Sequence, residues 1–268
     1  MSDQPQNSAV EIPGVRRLLL VETDPPPLTG EQTAAMTRRW DEAVAANPSL
    51  FDGPTVVCAG LERKDPETLL LTWYRATYRL YLLRLDPVHA VPAPSVFVTV
   101  AQPTDDGRLL VGRMAPSTAA PGRWQLPGGT IEPPQHSGTT LDMDELRRHA
   151  AKELAEEVGR DVPAEDPELW MVTRGDKGNV GLHFRTRPCP ADTLTEQYTA
   201  LVSAESAQGR TPELDRIAFI RSDADVAGLG GRIADFLSVL AARHAATGTT
   251  GQAYVREVVG GGQARRRP

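Results

Sequence analysis

Residues 124–160 read WQLPGGTIEPPQHSGTTLDMDELRRHAAKELAEEVGR. The pattern is a short strand, a Gly-Gly turn, a loop, and then a helix that carries Glu153, Glu156 and Glu157. At about 100° per residue, with Leu146 as zero, Ala150, Leu154 and Val158 fall at roughly 40°, 80° and 120°. These residues form the apolar stripe that faces a core. Glu153 and Glu157 lie at about −20° and +20°, on the edge of that stripe, and Glu156 lies at about −80°, nearer solvent. Asp142 with Glu145 has capping-box spacing, and Gly159 supplies the C-terminal stop.

A run of the form E-x-x-E-E is ordinarily a solvated helix face. Here two of the acids abut core positions, where an uncompensated charge is costly. Three clustered like charges also push one another toward protonation. A divalent cation relieves both penalties, and Mg²⁺ is characteristically held by a few carboxylates together with substrate phosphates. The Gly128-Gly129 pair lets backbone approach a ligand closely.

The same residues resemble the signature of the Nudix hydrolases, G-x5-E-x7-R-E-U-x-E-E-x-G-U, where U is a bulky aliphatic residue. Gly129 matches the opening glycine, and Lys152-Glu153-Leu154-Ala155-Glu156-Glu157-Val158-Gly159 matches the second half with Lys in the Arg position. Gln135 stands where the pattern has its first Glu, the spacer to Lys152 is longer than the family's, and Arg160 replaces the final aliphatic. An insertion across Pro133 to Leu141, with Asp144 in the acidic slot, accounts for the spacing. The resemblance implies an α+β fold, an α/β/α sandwich with a mixed sheet. It also implies hydrolysis of a diphosphate linkage with Mg²⁺ or Mn²⁺. In that reading Glu153, Glu156, Glu157 and the Gly128 carbonyl hold metal. Lys152 takes the place of an arginine that orients a glutamate, but as a point charge without the fork. Asp144 supports the cluster or orients a water.

The general base in such proteins often comes from a later loop, and Glu213 and Glu205 are the candidates. Arg113, Arg123 and Arg174 suit phosphate contacts, since the guanidinium fork matches phosphate oxygens. The histidines are scattered without zinc spacing, and His149 reads as a helix-surface residue. No P-loop or dinucleotide glycine motif is present.

A chain of 268 residues, 40% hydrophobic and 24% charged, is ordinary for a soluble globular protein. The net charge of −6 argues against nucleic acid as a bulk partner and leaves small anionic substrates open. Cys58 and Cys189 make no disulfide framework. No stretch reaches the ~20 apolar residues of a membrane span, and the polar N-terminus lacks a signal peptide's pattern. The expectation is a cytoplasmic protein with no membrane partner; a homodimer is compatible with the sequence.

The chain divides into a disordered start (1–14), a small α/β unit (15–90), a main domain (95–246) and a flexible, Gly-rich tail (247–268). The main domain carries strands around residues 95–102, 108–114, 169–174, 180–186 and 216–221, with helices at 192–206 and 231–244. Strands and helices do not alternate regularly, which favours a mixed sheet between helices. Within the first unit, Trp40 and the run Asn47-Pro48-Ser49-Leu50-Phe51-Asp52-Gly53-Pro54, followed by the Tyr74-Arg75 region, resemble the N-terminal extension of UDP-sugar-splitting Nudix proteins. The same residues also read as ordinary core packing and a turn. A nucleotide sugar is therefore the leading substrate expectation. The alternative is a non-catalytic domain that senses a nucleotide derivative, favoured by Gln135, Lys152 and the expanded loop.

Overall fold

The computed structural model describes residues 9–48, 50–134 and 141–258, with 248–258 described by backbone alone. Gln135 and Ser49 lie outside the described residues. The chain begins with β1 (Val10–Glu11) and β2 (Arg17–Glu22), followed by α1 (Gly30–Ala46). A capping box starts α1: Gln32 N–H donates to the Thr29 hydroxyl, and Thr29 N–H donates to the Gln32 side chain. Next come β3 (Pro54–Arg63), β4 (Thr68–Thr77) and α2 (Tyr78–Leu83). β2 runs parallel and β3 antiparallel to β4, giving a three-stranded mixed sheet.

The main domain contains β5 (Val96–Ala101), β6 (Leu109–Met114), β7 (Arg123–Gln125), α3 (Met143–Val158), β8 (Glu168–Arg174), β9 (Val180–Arg185), α4 (Ala191–Ala207), β10 (Leu214–Ile220), α5 (Asp223–Gly228), β11 (Arg232–Ile233) and α6 (Leu237–Val258). Its strands form two mixed sheets, ordered β1-β8-β9-β5 and β10-β6-β7-β11. The fold is mixed α+β, as the irregular order of elements implies.

Strand β6 shows how the layers form. Leu110 and Met114 share a core with Leu146, Ala150, Leu154 and Val158 of α3. Leu109 and Val111 point the other way, into a core with Leu237, Leu240 and Ala241 of α6. Alternating side chains of one strand are thus covered by helices on both faces, and its first three residues, Leu109 to Val111, are accordingly all apolar.

Three boundaries differ from expectation. The start of the chain is ordered from Ala9: Val10 pairs with Arg174, and the buried Ala9 donates its N–H to Asp235 O at 3.1 Å. The backbone groups on the edge of β8 need partners, and these residues supply them. Residues 232–233 pair with β7 as a strand, so the closing helix begins at Leu237 and continues past Thr247. The first unit is joined to the main domain through a common core, in which Leu71 and Trp73 meet Val96 and Val98. The Pro-rich stretch between them is tied in, since Cys58 N–H donates to Pro94 O at 2.8 Å. Of the N-terminal motif, Phe51 is 78% exposed, while Asp52 pairs with Arg79 at 2.9 Å. No helix among the described residues is long and apolar enough to cross a membrane.

Candidate active site

The Gly-Gly turn lies against β5, with Val98 N–H donating to Gly129 O at 3.0 Å and Val100 N–H to Pro127 O at 2.8 Å. Gly128 has φ 149°, and a Cβ there would stand 2.2 Å from Val98 O and 2.6 Å from Thr99 Cα. Only glycine allows this approach. At Gly129 a Cβ would meet not backbone but the Glu153 carboxylate, 2.6 Å from Oε1. The turn is therefore closed by β5 on one side and by α3 on the other.

Helix α3 begins where Asp142 accepts the Glu145 N–H at 2.8 Å and ends on Gly159 in the left-handed conformation. Its register delivers the acids as the wheel implies. Glu157 is 3% exposed and accepts the Gly128 N–H at 3.0 Å. Glu153 is largely covered, and Glu156 is in the open. Burial pushes the Glu157 carboxyl well above its ordinary range, and the charges of Glu153 and Glu213 push in the same direction.

Glu213, which immediately precedes β10, reaches this cluster from far along the chain. It lies within hydrogen-bonding reach of Glu157, and its charge helps raise the Glu157 pKa. Burial, followed by the charges of Glu153 and Glu156, raises its own pKa. Glu205 is close enough for its charge to be felt at Glu213 and pairs with Arg210 at 3.7 Å.

Other expected site residues go elsewhere. Asp144 is exposed and pairs with Arg147 at 3.1 Å. It sits in the first turn of α3, roughly 13 Å along the axis from Glu153, too far to serve the same ion. Lys152 faces solvent beside Glu156, at 3.6 Å. Arg113 donates two hydrogen bonds to Asp215 across β6 and β10, at 2.7 and 2.8 Å, which occupies its fork. Arg174 is exposed at the end of β8, where its charge is felt by the Cys58 thiol. His149 is not a surface residue: its side chain is 13% exposed and its Nε2 lies 2.9 Å from Glu153 Oε1. The i,i+4 spacing of His149 and Glu153 carried that signal in the sequence.

Gly128 and Gly129 also border a cavity of about 310 Å³. The N-terminal unit contributes Thr55, Val57, Tyr78 and Tyr81 to its wall; Phe97, Thr99, Arg123, Arg232, Asp235 and Phe236 come from the main domain. Tyr78 and Tyr81 stack with centroids 5.7 Å apart. Arg84 lies over Tyr81 and donates to Asn179, another lining residue, at 2.7 Å, which pins the unit to the domain. Arg123 donates to Gln125 Oε1 at 3.0 and 2.5 Å, and Gln125 Nε2 stands 3.5 Å from Gly128 O. Burial lowers the Arg123 pKa, and the neighbouring Arg232 charge lowers it further. Beneath the cavity His183 is fully buried between the Thr99 and Thr173 hydroxyls, at 2.7 and 2.8 Å, and burial pushes its pKa down to about 3.

No three His, Cys, Asp or Glu side chains among the described residues are already grouped as a metal cage. The chemistry of the donors nevertheless fits a hard divalent cation. All four are carboxylates, and the deepest, Glu157, is destabilised in its charged form first by burial and then by its neighbours' charges, penalties that a cation relieves.

No family model matches the chain, and no curated protein matches it. Solved structures similar to it include a MutT/nudix family protein from Enterococcus faecalis, 12% identical over 52% of this chain and 48% of that one, with a TM-score of 0.30. A second is a NUDIX hydrolase from Nitrosomonas europaea, 17% identical over 58% of this chain and 90% of that one, with a TM-score of 0.33. The chain thus spans about half the length of the first of these structures.

Proposed function

We propose that the protein hydrolyses a diphosphate linkage in a nucleoside diphosphate derivative, with Mg²⁺ or Mn²⁺ held by Glu153, Glu156 and Glu157. The observation that carries this reading is the meeting of Glu157 and Glu213, which are far apart in sequence and come within hydrogen-bonding reach where Glu157 accepts the Gly128 N–H. A helix face that was merely solvated would not bring a further acid from another element up against its one buried carboxyl, Glu157. When bound, the cation supplies charge neutralisation for the phosphoryl oxygens and lowers the pKa of a water. Glu157 is held in place by the Gly128 N–H at 3.0 Å. Glu213 is the base that takes the proton of the attacking water, its raised pKa bringing it toward working pH.

The cavity beside the turn takes the part of the substrate that does not react. Arg123 and Arg232 offer donors to anionic or carbonyl oxygens, Asp235 accepts from hydroxyls, and the tyrosines offer both a ring face and a hydroxyl. A wall that mixes donors, acceptors and aromatic rings suits a nucleotide sugar. The resemblance of the N-terminal unit to UDP-sugar-splitting proteins supports the same substrate.

The test is release of phosphate-containing products from a panel of nucleotide sugars, dinucleotides and nucleoside triphosphates, with Mg²⁺ and with EDTA. Cation-dependent turnover of at least one diphosphate is expected. Binding without turnover would convert the reading to a ligand sensor, and indifference to both cation and nucleotide would remove it.

A further inference from the structure

The resemblance puts the group that orients a glutamate at Lys152, yet that ammonium pairs with Glu156 at 3.6 Å, and both side chains are more than half exposed. Such a pair holds neither partner firmly. Glu153 is confined by other means. On one side the Gly129 Cα leaves just enough room for its carboxylate, since a Cβ would come within 2.6 Å of Oε1 and 3.0 Å of Cδ. On the other, His149 Nε2 lies 2.9 Å from the same Oε1, in a contact where the two side chains are only 13% and 14% exposed. Nε2 has no hydrogen-bond partner among the described residues. No competing hydrogen bond therefore draws Nε2 away from Glu153.

We infer that His149, rather than Lys152, is the positioning residue for Glu153, and that it fixes the carboxylate for gripping a divalent cation. The inference rests on the proposed role of Glu153 as a cation ligand. A carboxylate clamped between backbone and ring has little rotamer freedom left to lose when it binds an ion. Partners that orient a metal ligand in this way contribute about 10–100-fold to metal affinity.

The experiment compares His149→Ala, His149→Gln and Lys152→Ala with the unmodified protein, all checked for folding by circular dichroism. Affinity for Mn²⁺ alone, without nucleotide, is read by electron paramagnetic resonance. His149→Ala is expected to weaken Mn²⁺ binding at least ~10-fold. Glutamine, whose amide fills part of the space and offers an N–H, restores part of the loss, and Lys152→Ala stays near the unmodified value. A second readout needs no metal. The carboxyl ¹³C resonance of Glu153, assigned by Glu153→Gln, shifts or broadens in His149→Ala and stays put in Lys152→Ala. Unchanged Mn²⁺ affinity in His149→Ala, or an equal loss in Lys152→Ala, overturns the inference. An unmodified protein that binds no Mn²⁺ defeats the proposed hydrolase instead, and the resonance then decides the positioning role by itself.

Discussion

The backbone N–H of Gly128 donates to the Glu157 carboxylate at 3.0 Å, joining the closest backbone approach in the site to its most deeply buried acid. The two glycines of the turn serve different ends, and substitution separates them. At Gly128 an added Cβ meets Val98 O and Thr99 Cα, backbone atoms that cannot step aside, at a φ that side chains avoid. Gly128→Ala is expected to destabilise the fold by about 3 kcal/mol or more, read from urea unfolding. At Gly129 the obstacle is the movable end of Glu153. Gly129→Ala should leave a folded protein with impaired Mn²⁺ binding. Equal unfolding midpoints for the two variants would contradict this division.

Arg113 belongs to the fold rather than to the substrate. Its two hydrogen bonds to Asp215 bridge neighbouring strands, with both side chains less than one-third exposed. Arg113→Ala should lower the melting temperature modestly while leaving KM unchanged. A rise in KM with an unaltered melting temperature would return this residue to the phosphate site.

Arg123 is the expected phosphate-binding arginine that does reach the cavity, and Gln125 holds its fork. Lysine keeps the charge but not the paired donors. Loss of one hydrogen bond to a charged group is worth ~1.5–3 kcal/mol, which is about tenfold or more in binding. Arg123→Lys should raise KM by roughly that factor with a smaller change in kcat, measured on whichever diphosphate the substrate panel identifies. An unchanged KM would show that the substrate lies elsewhere.

What the sequence disclosed follows from the range of the interactions concerned. The apolar stripe of α3, the placement of Glu153 and Glu157 beside it, and the caps Asp142 and Gly159 are set by helical period and local hydrogen bonds, so they are legible within a few residues. Asp144 fits the box by counting, but on the wheel it lies at about 160°, on the side of the helix opposite Glu153 and Glu157. The period that found the other acids thus excludes it. The Arg113–Asp215 pairing depends on the register of β6 against β10, and the arrival of Glu213 depends on the same pairing. No local pattern encodes either. The ordered start at Ala9 likewise depends on an edge of β8 that exists only after the sheet has formed. The wall contributed by Tyr78 and Tyr81 needed the docking of one unit on the other, which Arg84 and Asn179 secure.

Two buried groups tilt the stability of the protein in opposite directions with pH. The Glu157 pKa is raised from its ordinary 4.5, so above that value the unfolded chain releases a proton that the folded one keeps. Its contribution is therefore complete below pH 4.5 and is lost as pH climbs through the folded value. Glu213, also raised, acts in the same sense. His183 is lowered from 6.5 to about 3, so between those values the unfolded chain binds a proton that the folded one refuses. Its contribution is complete above pH 6.5 and drains on acidification. In the metal-free protein these slopes partly cancel through the weakly acidic range. Glu157→Gln removes the falling slope and leaves the rising one, and it also removes repulsion from Glu153. The variant should therefore lack turnover, gain stability over the unmodified protein at neutral pH, and show a steeper increase from acid to neutral. Mg²⁺ should stabilise the unmodified protein and leave the variant nearly unaffected. Urea midpoints across this range, with and without Mg²⁺, provide the check. Parallel pH curves for the two proteins would mean that Glu157 does not titrate abnormally, and equal Mg²⁺ effects would mean that it is not a ligand.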